Sequence, residues 1–238
     1  MGIIIHLYYA ELAPTLLKAI DRVPAPVRLY VSTDVEAKAA SIRRDLPGAD
    51  VRVVRNVGRD VYPKLFAFRD AHAHHDVVLH LHGKRSPHSR DLEKWLDQIM
   101  SCLVPSTERV QQILTMFASD PKLGMVSPEP FAGILPSYGW GPNRVLAEAL
   151  LWERGWGRLP HQVQFPAGSM FWARPAAPQP IFDLDLPAEA FTEGATALDG
   201  SLAHAVERLV GVAPGVAGYK QVFVGVEGRA TTRRKAAG

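Results

Sequence analysis

The chain has 238 residues, 47% of them hydrophobic, which allows one large core or a core with a small appended lobe. No apolar run approaches the roughly 18 residues that span a bilayer, the run Ile3-Ile4-Ile5 lacks the flanks of a secretion signal, and Cys102 has no second cysteine to pair with; a soluble, cytoplasmic protein of a reducing compartment is expected. The formal charge of +3 and pI of about 9.1 are mild, and the basic stretch 229–235 supplies much of the excess, which argues against a nucleic-acid-binding stripe.

Residues 3–9 form an apolar, β-rich run, after which Leu12, Leu16, Ala19 and Ile20 recur at helical spacing. Residues 27–31 alternate like a strand, Asp34 is placed to cap the Ala-rich stretch that runs to Arg44, and residues 51–54 read as a third strand. A further helix is expected from Val61, with Asp60 as cap and Pro63 in its first turn, before a fourth strand over 76–81. Strands alternating with helices of this length imply right-handed crossovers and a largely parallel sheet covered on both faces, hence one α/β domain.

Leu92, Trp95, Leu96, Ile99 and Met100 share one helical face, and Val110, Ile113, Leu114 and Phe117 share another behind a Pro105-Ser106 start. A short strand over 123–126 leads into a Gly-, Pro- and aromatic-rich stretch, 127–157, read as a rim carrying Trp140, Trp152 and Trp156. Residues 165–173 look like a late strand, and Leu202, Ala205, Val206, Leu209 and Val210 mark the last amphipathic helix. The domain is expected over 1–228, with a basic flexible tail over 229–238 that is solvated or touches anionic lipid headgroups.

Ligands of open α/β sheets sit beyond the carboxyl ends of the strands, and four unusual segments fall there. Asn56-Val-Gly58-Arg59-Asp60 leaves the third strand, turns at a glycine and opens a helix; it is either a capped turn or a place where backbone N–H groups and a guanidinium meet a diphosphate. His80-Leu81-His82-Gly83-Lys84-Arg85 closes the fourth strand, with His80 and His82 on one face. Lys84 and Arg85 can neutralise a leaving diphosphate. The histidines can instead be metal ligands, with His88 or the His72, His74, His75 cluster completing a set, or they can be buried and hydrogen-bonded with a solvated basic pair. Phe165-Pro-Ala-Gly168-Ser169-Met-Phe-Trp172 can line a sugar face or form a buried strand with a tight bend. Glu193 and Asp199-Gly200-Ser201 precede the last helix: Asp199 is a helix cap, or Asp199 or Glu193 is the carboxylate that deprotonates an acceptor hydroxyl, with His204, Glu207 and Arg208 pointing away from the apolar stripe.

In this order, residues 56–61, 79–88, 165–174, Glu193 and 199–208 together resemble the signature of the rhamnan synthesis protein F family. That resemblance implies a single GT-A-like (Rossmann-like) glycosyltransferase domain acting in cell-surface polysaccharide and O-antigen assembly. By position it implies that Asn56, Gly58, Arg59 and Asp60 belong to the nucleotide side of the cleft and that His82, Lys84 and Arg85 meet the diphosphate. Gly168, Ser169 and Trp172 would border the sugar or acceptor, and Glu193, Asp199 and His204 are the candidates for acceptor activation. The partners implied are a nucleotide-sugar donor, such as dTDP-rhamnose or another nucleoside-diphosphate sugar, and a glycan or lipid-linked glycan acceptor at the inner face of the membrane. Where GT-A enzymes place Asp-x-Asp to hold Mg²⁺ or Mn²⁺, this chain reads His80-Leu81-His82, so a divalent metal is left open and a metal-independent site resting on Lys84 and Arg85 is the favoured reading. The competing readings are a non-catalytic carbohydrate-binding or scaffold domain and a metal-dependent hydrolase built on His80 and His82.

Overall fold

The computed structural model describes residues 1–9, 12–24, 26–83, 94–192 and 199–226. The tail expected over 229–238 lies outside the described residues. The chain opens as three strand-helix units of the expected kind and a fourth strand: β1 (Gly2–His6), α1 (Ala13–Ile20), β2 (Arg28–Thr33), α2 (Glu36–Asp45), β3 (Asp50–Val53), a π-helical turn Tyr62–Phe66 running into α3 (Arg69–His72), and β4 (Val78–His82). Next come α4 (Trp95–Leu103), α5 (Thr107–Ser119), β5 (Leu123–Pro128), two short 3₁₀ turns, α6 (Arg144–Arg154), β6 (Phe171–Ala173), α7 (Gln179–Asp183), α8 (Leu202–Val216) and β7 (Lys220–Val224).

The described strands form a seven-stranded sheet in the order β3-β2-β1-β4-β6-β5-β7. All neighbours are parallel except β6, which runs antiparallel to both β4 and β5. The first three strands step outward to one side of β1 and β4 returns to its other side, so the chain reverses direction across the sheet between β1 and β4. Such a reversal splays the connecting loops apart at the carboxyl ends and leaves a crevice. Because β6 is antiparallel, the segment entering it, with Gly168 and Ser169, is delivered to that same edge.

Helices cover both faces. On one, Ile3, Ile5, Leu79, Leu81 and Trp172 pack against Leu16, Ile99, Leu103, Ile113 and Phe117. On the other, Met125, Phe171 and Ala173 meet Ala147, Leu151, Ile181, Val206 and Leu209 from α6, α7 and α8, beside a smaller cluster of Ile4, Tyr30, Phe68 and Val78. Burying each large aliphatic side chain contributes roughly 1.5–3 kcal/mol, so the sheet is held by these two layers and not by its hydrogen bonds alone.

Four local expectations need correction. Asp34 does not cap α2, whose N-cap is an uncapped Val35; its carboxylate pairs with Lys38 at 2.6 Å instead. Asp60 does not cap a helix, because the turn after it is π-helical with Val61 at the N-cap. The strand expected over 165–173 shortens to three residues, since Gly168 and Ser169 both take positive φ, 87° and 53°, which no strand accommodates. The stretch read as rim holds α6: Gly155, at φ 66°, ends it as a left-handed C-cap, and Ala147 and Leu151 are buried against α8.

Candidate functional site

At the carboxyl edge, beside the reversal, polar side chains from six segments converge. The π-helical turn sets one wall. It buries Pro63, Lys64 and Leu65 in succession, and Lys64 is 0% exposed. Its ammonium lies 3.3 Å from Asp60 Oδ2 and donates to the Ser169 carbonyl. His82, the last residue of β4, donates from Nε2 to the Gly168 carbonyl at 2.6 Å, with Asp60 Oδ2 at 3.4 Å. At the end of β1, His6 Nδ1 meets Ser32 Oγ at 3.1 Å; burial pushes the His6 imidazole down to about 4, opposed by the Asp60 carboxylate and reinforced by Lys64.

The other wall is the start of α8. Ser201 is its N-cap and forms a reciprocal capping box with His204, whose Nδ1 accepts from the Ser201 hydroxyl at 2.8 Å. The His204 proton therefore sits on Nε2. Burial, then the Arg59 cation, pushes this imidazole down to about 4, so it is neutral at pH 7. One residue before Gly200, Asp199 accepts from Asn143 Nδ2 at 2.8 Å and pairs with Arg208 at 3.3 Å, while Asn143 Oδ1 accepts from the Gly200 N–H at 3.1 Å. The Asp199 side chain keeps 30% exposure, so it is oriented and still reachable from solvent.

Arg208, only 4% exposed, also donates to the Gly139 and His204 carbonyls and lies 4.9 Å over the Phe165 ring. Close approach of α8 makes this possible: a Cβ at Gly211 would stand 2.1 Å from the Gln164 carbonyl oxygen. Glu207 joins the walls, accepting from the Gly168 N–H at 2.8 Å and the Ser169 hydroxyl at 3.3 Å, and pairing with Arg208 at 3.4 Å.

The arrangement offers carboxylates at Asp60, Asp199 and Glu207, cations at Arg59, Lys64 and Arg208, and a neutral imidazole N–H at His204. Charged groups held this way interact more strongly than in water and need no reorganisation when a ligand arrives.

A family model described as rhamnan synthesis protein F matches residues 1–219. The chain belongs to the rhamnan synthesis protein F family. Two curated relatives, each named uncharacterized protein WxcX and from two strains of Xanthomonas campestris pv. campestris, are 33% identical over 228 residues, covering 93% of this chain and 32% of their own length. The chain thus spans about a third of the length of the curated relatives it matches. No solved structure matches it. Membership of the rhamnan synthesis protein F family ties the chain to rhamnan and polysaccharide synthesis.

Of the residues singled out in this rhamnan synthesis protein F chain, the fold brings Asp60, His82, Gly168, Ser169, Asp199 and His204 into one network, and the Arg59 charge acts on His204. Gly58, at φ 62°, turns the chain beneath Phe191 with its N–H on the Thr192 carbonyl, and Asn56 lies two residues earlier on the same loop. Trp172 is placed elsewhere: it is 0% exposed in the core, its indole N–H on the Leu103 carbonyl. Lys84, Arg85 and Glu193 lie outside the described residues.

Two features of α8 differ from the sequence reading. Ser201, not Asp199, caps it, and His204 and Arg208 are buried and not directed away from the apolar side. His6, Lys64 and Asn143 were missed altogether. Lys64 had a signal, because it stands at helical spacing on the stripe of Val61, Leu65 and Phe68, where a charge has to find a buried partner. Asn143 had none.

The histidines of β4 share a face, as alternation requires, but serve different ends. His72 donates from Nδ1 to the Phe68 carbonyl, so its Nε2 accepts from His80 Nε2 at 2.9 Å, and His80 stacks on Phe171. Among the described residues no group of three or more His, Cys, Asp or Glu is placed to hold a metal ion. With His80 sealed between His72 and Phe171, and His82 committed to Gly168, the strand position does not fit a hard, oxygen-seeking cation such as Mg²⁺. No described helix is long and apolar enough to cross a membrane.

Proposed function

We propose that this chain is a glycosyltransferase that moves a sugar from dTDP-rhamnose or another nucleoside-diphosphate sugar onto a growing cell-surface polysaccharide. The observation that carries this reading is Asp199: a solvent-reachable carboxylate, fixed by Arg208 and Asn143, in the same polar network as Asp60 and His82, in a member of a polysaccharide-synthesis family. The crevice beside the β1–β4 reversal supports the GT-A-like, nucleotide-binding reading of the fold.

In this reading the loop 56–60 faces the nucleotide, and Lys84 and Arg85 take up the charge of the leaving diphosphate. The acceptor hydroxyl oxygen forms a bond to the anomeric carbon as that carbon's bond to the phosphate oxygen breaks. The nucleoside diphosphate departs with the electron pair, and the hydroxyl proton passes to Asp199. His204, neutral and protonated on Nε2, donates a hydrogen bond and does not take the proton, because its accepting nitrogen, Nδ1, is already occupied by Ser201. No step is assigned to a metal. Donor and acceptor are held at a cytoplasmic site, peripheral to the membrane's inner face.

The test is calorimetric binding of dTDP-, UDP- and GDP-sugars, with and without Mn²⁺, on wild type, Lys84→Ala and Asp199→Asn, with nucleoside-diphosphate release as the turnover readout. Donor binding that needs Lys84, with turnover lowered about 100-fold or more by Asp199→Asn while binding persists, is the expected outcome. Absence of nucleotide binding under every condition would replace the transferase with a non-catalytic glycan-binding or scaffold domain.

A further inference from the structure

Asn143, which holds Asp199, is followed directly by α6, so that helix starts at the candidate site and leads away from it. Trp152 stands on its outer side and is 86% exposed; Val145 and Leu146, both about two turns closer to the site, are exposed as well. Between this helix and the segment that follows it runs an open groove of about 380 Å³, lined by Arg144, Glu148, Leu151, Trp152, Arg158 and Leu159. At 1.5 Å of rise per residue, the nine residues from Asn143 to Trp152 span about 13 Å. Trp152 is therefore beyond the reach of any reacting atom at Asp199 but within reach of a chain attached to one, while Arg144 sets the near end of the groove beside Asn143.

Its chemistry is mixed. A flat, exposed indole offers a face to the C–H-rich side of a pyranose ring, while Arg144, Glu148 and Arg158 offer planar donors and acceptors for hydroxyl groups. The lining carries two arginines and one glutamate, and Arg144 and Glu148 pair with one another at 2.8 Å, so the surplus is a single positive charge. One surplus cation falls well short of the basic cluster that holds an anionic headgroup, which favours a neutral polyol. Continuity with Asp199 through Asn143 gives such a polyol a reason to lie there.

We infer that the α6 groove is a distal subsite for the acceptor glycan, with Trp152 as its stacking platform, holding units of the polymer already made while the terminal unit waits at Asp199. This rests on the transferase reading for its purpose, though not for the binding itself. The subsite would favour long acceptors over short ones and leave donor affinity untouched.

The experiment compares a rhamnose disaccharide with a rhamnose hexasaccharide by titration calorimetry on the full chain, as wild type, Trp152→Ala and Trp152→Phe. Trp152 is exposed, so its replacement spares the fold, and thermal melts of the variants check this. Wild type should bind the hexasaccharide about tenfold tighter than the disaccharide. Trp152→Ala should erase that preference, Trp152→Phe should keep most of it, and binding of the nucleotide sugar should be the same in all three. A hexasaccharide preference that survives Trp152→Ala, or none in wild type that does bind nucleotide sugar, overturns the subsite and leaves the transferase standing. Hexasaccharide binding through Trp152 in a protein that binds no nucleotide supports the groove and sinks the transferase. Binding of phosphatidylglycerol vesicles that is lost in Trp152→Ala, without any length preference, overturns the subsite in favour of a lipid-facing surface.

Discussion

Replacing Lys64 by Met tests the idea that a buried ammonium, paired with Asp60 on its own turn, ties that turn to the strained segment ahead of β6 through the Ser169 carbonyl. Met nearly matches the lysine stem in volume, so packing changes little and the loss is electrostatic. The change removes the 3.3 Å pair with Asp60 and strands the Ser169 carbonyl that the ammonium serves. Breaking a fully buried pair costs about 3–5 kcal/mol, but Asp60 is 18% exposed and keeps His82 at 3.4 Å, so part of its charge is re-solvated. About 2–3 kcal/mol remains, most of it from the orphaned groups. For a domain of this size that lowers the melting midpoint by about 5–10 °C. The assay is urea denaturation followed by circular dichroism, with a double-mutant cycle against Asp60→Asn and comparison of m-values to confirm that the denatured state is unchanged. Removing both charges leaves less unpaired than removing either, so a coupling energy of about 1 kcal/mol or more is expected. Single effects that add to within about 0.5 kcal/mol, or a Lys64→Met protein as stable as wild type, would refute the reasoning.

Acid should loosen the fold well before its carboxylates titrate. His6, His72 and His204 have folded-state pKa values of about 4, pushed down first by burial, against 6.5 for the unfolded chain. Between those values the unfolded state binds more protons, so stability is complete above about pH 6.5 and is lost as pH falls toward 4. Urea midpoints measured from pH 7 to 5 should fall steadily, and a flat profile would show that these histidines are not buried neutral. Gly58→Ala forces a side chain onto a backbone at φ 62° and sets its Cβ 2.5 Å from the Phe191 ring, for a loss of about 1–3 kcal/mol by thermal denaturation. Gly211→Ala meets a backbone oxygen, which cannot swing aside as a ring can, and should cost more than Gly58→Ala. Gly139→Ala, with open space around it and ordinary φ, is the control and should change stability by less than about 0.5 kcal/mol.

The first half of the fold was legible because parallel strands buried on both faces read as apolar runs, and Ile3-Ile4-Ile5 and Val78-Leu79 can be little else. The Pro105-Ser106 start and the stripe of α5 were equally direct, and the structure makes Ser106 the N-cap, its hydroxyl accepting from the Arg109 N–H. Legibility fell where tertiary contacts outweighed local preference. Three residues of β6 are too few to alternate, and their direction is set by pairing with β4 and β5. α6 begins behind Pro142 in a stretch whose glycines and aromatics read as loop, and it is a helix because Ala147 and Leu151 have α8 to pack on. The site divides the same way. Asp60, His82, Gly168 and Asp199 stand out by type and place, whereas Asn143 becomes meaningful only once the fold sets it 2.8 Å from Asp199.

Gly168 and Ser169 show why the site takes this form. Ser169 holds φ 53°, a conformation that costs a residue with a side chain about 1–3 kcal/mol and persists only when its surroundings over-determine it. Here they do. The Gly168 N–H goes to Glu207, the Gly168 carbonyl to His82, the Ser169 N–H to the Pro166 carbonyl, the Ser169 carbonyl to Lys64 and the Ser169 hydroxyl to Glu207. Lys64 and His82 come from the first half of the chain and Glu207 from α8. The halves already share one sheet and one core, and at the site they are registered by the two residues ahead of β6, whose antiparallel run places them at the carboxyl edge. A parallel strand in that place would have entered from the opposite edge, leaving Asp60 and His82 on one side of the crevice with nothing to register them against Asp199. The single reversed strand, the strained turn before it and the buried lysine are thus one device, and they set the spacing between Asp60 and His82 and the carboxylate proposed to act on the acceptor.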